Sequence, residues 1–224
     1  MLPDFAYNEY KYQVSNEMLG YVRQAMDDLY GGSDPFPEGV VDSVYFDTPD
    51  RQFYDQCLDG ESTKIKFRIR GYGDGSFRQL HLKKKDVFGV GKLKSPIDPV
   101  LWTEGSLPDW NALRPLQKGG QFDEIIGYAR NFGYLSPVVR VRYYRYRYRI
   151  ADYRLTLNTR IEVTGFPGVR PAPLNYGLLP YHVLEIKSRE ERPHLPMLGL
   201  VQLPQVSFSK FFLGLNLLDE TFLT

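Results

Sequence analysis

The chain has 224 residues (26.0 kDa), 42% hydrophobic and 25% charged, proportions that exclude wholesale disorder and fit one domain spanning 1–224. No run approaches the roughly 18–20 consecutive apolar residues that cross a bilayer, MLPDFAYNEYKYQ lacks a secretory pattern, and Cys57 alone excludes an internal disulfide, which together predict a soluble cytoplasmic protein. The net charge of +1 hides a segregation that points to a polyanion as ligand: ten Lys/Arg against three Asp/Glu between 61 and 94, and seven against two between 138 and 162, leave −11 for the rest.

The first predicted element is a helix in NEMLGYVRQAMDDLYGG, capped by Ser15, striped by Leu19, Val22, Met26 and Leu29, and ended by Gly31. A second, short helix is expected from Thr48 as cap, with Pro49 in its first turn. From Ser62 to Tyr72, Lys64, Lys66, Arg68 and Arg70 alternate with Ile65, Phe67 and Ile69, the period of two that gives a strand one cationic and one apolar face. Asp74-Gly75 supplies tight-turn chemistry, and FRQLHLKKKDV completes a hairpin with Leu80 and Leu82 facing one way and Gln79, His81, Lys83 and Lys85 the other. The run GVGKLKS at 89–95 misses the phosphate-loop pattern and reads as a solvated loop, and 109–131 is a third, less regular helix candidate.

From Pro137, PVVRVRYYRYRYRI reads as a strand whose Tyr143-Tyr144 doublet shifts the arginines from even to odd positions, which predicts a bulge or bend near the doublet. After a turn at Ala151-Asp152, the next strand places Arg154, Thr156, Asn158, Arg160 and Glu162 on one face and Leu155, Leu157 and Ile161 on the other. The proline-rich stretch 165–180 reads as a loop, HVLEIKSR as a strand with Glu185 and Lys187 on one face, and 207–216 as a terminal helix. His81, His182 and His194 show no metal-ligand spacing, and no Gly-x-Ser-x-Gly elbow is present. Aromatic and basic interleaving at 140–149 would suit single-stranded nucleic acid, the weaker reading. Cationic rows on neighbouring strands repel unless an anion lies between them. The fold class is therefore α+β, mainly antiparallel β: a closed tunnel barrel of about eight strands with flanking helices, its cationic interior wide enough for one small ligand.

Taken in order, SVYFDTPDRQFYDQCLDG, KFRIRGYG, LHLKKK, PVVRVRYYR, YRLTLNT, VLEIKS and FSKF resemble the VTC domain of the vacuolar transporter chaperone family, within the triphosphate tunnel metalloenzymes. The resemblance implies an antiparallel barrel around a polar tunnel. It also implies a polyphosphate polymerase that transfers the terminal phosphate of ATP onto a polyphosphate chain, with Mn2+ or Mg2+ as cofactor. By position it implies that Lys11, Arg68, Arg70, Lys83, Lys92, Tyr143, Arg145, Arg154, Ser209 and Lys210 bind substrate phosphates, that Arg68, Arg70 and Lys83 act in the chemistry, and that Glu185 holds the metal. Lys187, on the face of Glu185, joins the phosphate-binding set. His81 and Asn158 stand where the family usually carries carboxylates and Lys94 where it carries arginine, and Glu9 and Glu162 are the candidates to make up the lost acids. The same fold resembles inorganic triphosphatases and nucleotide phosphohydrolases, and without metal chemistry it would be a polyphosphate-binding module. The expected partners are ATP and polyphosphate, with a separate membrane protein needed for any coupling to transport at the inner face of a membrane; nucleic acid is not expected.

Overall fold

The computed structural model describes residues 8–73, 77–87, 89–97, 119–166 and 176–220. Within them the strands β1 (Asn8–Val14), β2 (Glu38–Asp47), β3 (Lys64–Tyr72), β4 (Phe77–Asp86), β5 (Gly89–Ile97), β6 (Ser136–Ile150), β7 (Tyr153–Gly165), β8 (Tyr176–Leu178) and β9 (His182–Ser188) form one nine-stranded sheet. Its order is β1-β9-β7-β6-β2-β3-β4-β5, with β8 beside β7, and every pairing is antiparallel. The helices are α1 (Leu19–Tyr30), α2 (Gln52–Leu58), α3 (Gly120–Ala129), α4 (Pro196–Leu200) and α5 (Lys210–Glu220).

The sheet is curled. Lys83 on β4 reaches Glu9 on β1 at 3.6 Å, although β9, β7, β6, β2 and β3 lie between them in the ladder. At about 4.8 Å per strand a flat sheet would hold them about 30 Å apart. The expected antiparallel barrel is thus present as a half-barrel: β5 and β1 end the ladder and share no pairing among the described residues. The free edge of β1 is covered by the chain at 204–206, where Gln13 donates its backbone N–H to Pro204 (3.0 Å) and Val206 donates to Lys11 (2.8 Å).

Alternation decides what each face does. On β3 and β4 the apolar row of Ile65, Phe67, Ile69, Leu80 and Leu82 is buried on the outer face against Phe53 of α2 and Phe122, Ile125, Ile126 and Ala129 of α3. On β7 and β9, Leu155, Leu157, Leu184 and Ile186 are covered on the outside by Val22, Met26 and Tyr30 of α1 and Met197 of α4. On the inner face α5 packs through Gly214 onto Val139, Val141 and Val163.

Several elements differ from their sequence reading. The buried stripe of α1 is Val22, Met26 and Tyr30; Leu29 is exposed, because spacing by four from Val22 falls on Tyr30. Ser15 bonds the backbone of Met18 (3.4 Å) one residue before the helix starts. α2 starts at Gln52 rather than in the turn after Thr48, since Arg51 is left-handed (φ 63°) and Pro49 stays outside. Its first amides are held by Asp47, whose carboxylate accepts from Phe53 (2.9 Å) and Tyr54 (3.0 Å), while Thr48 Oγ1 accepts from Gln52 (3.0 Å). Residues 89–95, read as a loop, belong to the edge strand β5, where Pro96 and two glycines are tolerated. The bulge expected near the tyrosine doublet is present, with its extra residue on the partner strand: β6 pairs without a break against β2 from Val139 to Tyr146, while β7 carries the extra residue between Thr159 and Glu162 at Arg160 (φ 50°). β8 and α3 lie in regions read as a loop and as a longer helix; the turn at Asp74-Gly75, 109–118 and 167–175 fall outside the described residues.

Candidate functional site

Register places the cations of seven strands on the inner face of one trough. Across β3, β4 and β5, Lys66 aligns with Lys83 and Lys92, Arg68 with His81 and Lys94, and Arg70 with Gln79. On the opposite wall Lys11 aligns with Glu185 and Thr156, and Glu9 with Lys187 and Arg154. Tyr143, Arg145 and Asn158 from β6 and β7 close the space between the walls.

Arg68, Arg70 and Arg145 are held by hydrogen bonds to uncharged side chains. Arg68 donates Nε to His81 Nδ1 (3.2 Å) and Nη1 to the hydroxyl of Tyr45 (3.2 Å). Arg70, buried, donates Nε to Ser43 Oγ (2.9 Å). Arg145 donates Nε to Asn158 Oδ1 (3.0 Å) and Nη2 to the Tyr143 hydroxyl (2.7 Å). Burial drives His81 well below the usual histidine range, and Arg68, Lys92, Arg70 and Lys94 drive it further, so the ring is neutral. Nδ1 then keeps its lone pair for Arg68 and Nε2 donates to Gln79 Oε1 (3.2 Å).

The lysines crowd around two carboxylates. Glu9 lies 3.7 Å from Lys11, 3.6 Å from Lys83 and 3.7 Å from Lys187; Glu185 lies 3.6 Å from Lys187 and 4.0 Å from Lys210. Burial pushes Glu185 up, but Lys210, a hydrogen bond with Glu9, Lys187 and Lys11 together hold it well below the carboxylate range. Burial and then neighbouring cations lower Lys83, and burial lowers Lys66 and Lys210. Lys92 is open to solvent inside the trough, yet desolvation by its walls and the fields of Arg68, Lys94 and Arg70 draw it down to about 6.

The start of α5 completes the floor. Ser209 caps the helix, its Oγ accepting from Phe212 N (3.3 Å) and from Lys66 Nζ (2.8 Å), and the Phe208 carbonyl accepts from Lys11 Nζ (2.8 Å). Lys210 enters over the rings of Tyr143 (4.9 Å) and Phe208 (5.0 Å).

The donor set for a divalent cation is small. Among the described residues no group of three or more His, Cys, Asp or Glu side chains could hold a metal. His81 and Asn158 are both committed to arginines. Glu162 pairs with the exposed Arg142 on the outer face, because the β7 bulge reverses the alternation after Asn158; it does not replace a lost acid, whereas Glu9 does lie inside. What remains is hard oxygen: Glu185, Glu9 and the hydroxyl of Thr156, the register partner of Glu185, which is buried without a hydrogen-bond partner. Such a set fits magnesium or manganese only when substrate phosphates supply further ligands.

The structure therefore brings together Lys11, Arg68, Arg70, Lys83, Lys92, Tyr143, Arg145, Glu185, Lys187, Ser209 and Lys210, with Arg154 at the exposed end of their rows. Lys66, Ser43 and Tyr45 are additions. Lys66 carries a signal in the sequence, standing in the alternating row of Arg68 and Arg70; Tyr45 carries none, since apolar neighbours flank it in VYFD.

The sequence profile of the VTC domain matches residues 6–219. Among solved structures, a candidate adenylyl cyclase from Hippeastrum with a dominant triphosphatase activity shares the fold at TM-score 0.53 and 20% identity, over 83% of this chain and 80% of that one. A candidate adenylate cyclase from Bacillus halodurans does so at TM-score 0.51 and 15% identity, over 82% and 80%. No curated protein sequence matches the chain.

Proposed function

We infer the function of this chain from its family and its tunnel together: the chain belongs to the VTC domain family, a tunnel fold that handles phosphoryl compounds, and we propose that it is a polyphosphate polymerase. In this reading the terminal phosphate of ATP passes to a linear polyphosphate lying along the trough. The observation that carries it is the convergence of Lys11, Lys66, Arg68, Arg70, Lys83 and Lys210 on one inner face around a single pair of carboxylates.

Phosphoryl transfer needs in-line positioning and charge neutralisation rather than a protein nucleophile. A terminal oxygen of polyphosphate attacks the γ-phosphorus, the bond to the β-phosphate oxygen breaks, ADP leaves, and the chain grows by one phosphate. Arg68 and Arg70 supply fixed two-pronged contacts to the transferring phosphate, and Lys83 and Lys66 beside them act as point charges on the flanking phosphates. Lys11 and Lys210 hold the other wall. A divalent cation, Mn2+ or Mg2+, adds Lewis-acid neutralisation when bound, and Glu185, Glu9 and Thr156 would hold it together with substrate oxygens. No described helix is long and apolar enough to cross a membrane; a separate membrane protein is the partner proposed for any product export.

Hydrolysis is the second reading, favoured by the shared fold of the Hippeastrum triphosphatase. Incubation with ATP and manganese, beside a Glu185→Ala control, separates the readings. Polymer on a gel with matching ADP, lost in the control, is the expected result. Free phosphate without polymer would move the assignment to a hydrolase, and no turnover would leave a polyphosphate-binding module.

A further inference from the structure

Three arginines of the trough share one construction. Arg68, Arg70 and Arg145 each give Nε to an acceptor directly across the register on a neighbouring strand: His81, Ser43 and Asn158. All three acceptors are uncharged. A carboxylate would fix a partly buried guanidinium more strongly, yet none of the three arginines forms an ion pair with an acid among the described residues.

The contrast with arginines elsewhere in the chain is direct. Arg23, Arg51, Arg140 and Arg147 each pair with an aspartate. The three trough arginines are aimed without a carboxylate to cancel them, so their charge is available to an entering anion. His81 suits this part because burial, and then the cations around it, keep it neutral; Asn158, fully buried, also donates Nδ2 to the Val183 carbonyl (3.4 Å), which fixes its oxygen towards Arg145. A carboxylate at either place would hold the arginine more strongly but cancel its charge, and phosphate would then need a cation to bridge two anions.

We propose that His81, Ser43 and Asn158 are positioning residues that let this tunnel grip a linear phosphate chain without a metal, so that polyphosphate binding is independent of divalent cations. The inference rests on the phosphate-chain reading of the same tunnel and assigns any metal to turnover alone.

The test is calorimetric titration of the full chain with tripolyphosphate and with a longer polyphosphate, in EDTA and in manganese. Binding in EDTA weaker than in manganese by less than about tenfold sustains the proposal, and a larger loss overturns it. His81→Glu and Asn158→Asp, checked for folding by thermal unfolding, are expected to lose about tenfold in EDTA and to regain affinity with manganese, a response a merely structural role would not give. Parent-like affinity of both in EDTA would also overturn it. If either variant fails to fold, Ser43→Ala carries the test: it is expected to weaken binding to both ligands in EDTA, with Ser43→Thr restoring it, and unchanged affinity counts against the proposal. Tight metal-free binding without ATP turnover would sink the polymerase reading and leave this inference standing; metal-dependent turnover with metal-dependent binding would do the reverse.

Discussion

At the scale of single residues, Tyr45 is where the charge of the trough is most sharply felt. Its ring packs against Phe211, and its hydroxyl accepts from Arg68. Burial pushes the phenol up, but Arg68, Arg70, the Arg68 hydrogen bond and Lys210 bring it down to about 7. Near neutral pH it is therefore part phenolate, an internal anion among the trough cations. Since the folded value lies below the free value of about 10, the stabilisation from Tyr45 is complete above that free value and is lost as pH falls through about 7. A near-ultraviolet tyrosinate titration should show one component with a midpoint of about 7, absent in Tyr45→Phe and displaced upwards by saturating tripolyphosphate. A parent titration with no component below a pH of about 9 would refute the ionised phenol. Arg68 and Arg70 are legible in the sequence because their alternation with the apolar neighbours Ile65, Phe67 and Ile69 is strict. Tyr45 is not, because Ser43, Val44, Tyr45 and Phe46 are all buried and the side of the sheet each takes is decided by pairing with β3.

At the scale of elements, α5 links packing to the site. Gly214 brings the helix onto β6 and β7: a Cβ there would meet Val163 at 3.0 Å, Val139 at 3.5 Å and Val141 at 3.6 Å. The same helix delivers Ser209 to Lys66 and Lys210 to Glu185. Gly214→Leu should lift it from the valines at a cost of about 1–3 kcal/mol, and tripolyphosphate affinity should fall with it as Ser209 and Lys210 leave register. Circular dichroism melting beside calorimetric binding checks both; a lowered melting temperature with unchanged affinity would show that α5 is packing alone. The terminal helix is legible in the sequence, though its start lies at Lys210 rather than at 207. β5 escapes a sequence reading because glycines and Pro96 suppress strand propensity, and its assignment depends on pairing with β4 along one side only. The β6–β7 bulge is signalled near its true place, but the sequence of one strand does not say which partner takes the extra residue.

At the scale of the whole molecule, the fold places like charges in direct opposition. Lys64 faces Lys85, and Lys66 faces Lys83 and then Lys92, pairs that are unfavourable on adjacent strands. Glu9 offsets this where the curl brings β1 to β4. The charge segregation along the chain makes a cationic interior legible, but the two walls meet through contacts far apart in sequence, and that β1 and β5 share no pairing among the described residues follows from no local pattern. A ligand that relieves the repulsion must stabilise the folded state by mass action. At a free tripolyphosphate concentration about a hundred times Kd the gain is about 2.7 kcal/mol, which for a chain of this size raises the melting temperature by about 5–10 °C. Sodium chloride at matched ionic strength should give a smaller rise, because screening weakens repulsion without bridging the walls, and it should shrink the tripolyphosphate effect as it competes for the same charges. Equal shifts from the two salts would mean that the cations act as a diffuse surface field; a tripolyphosphate shift that survives in Glu185→Ala but collapses in Arg68→Ala would place the anion on the arginine wall.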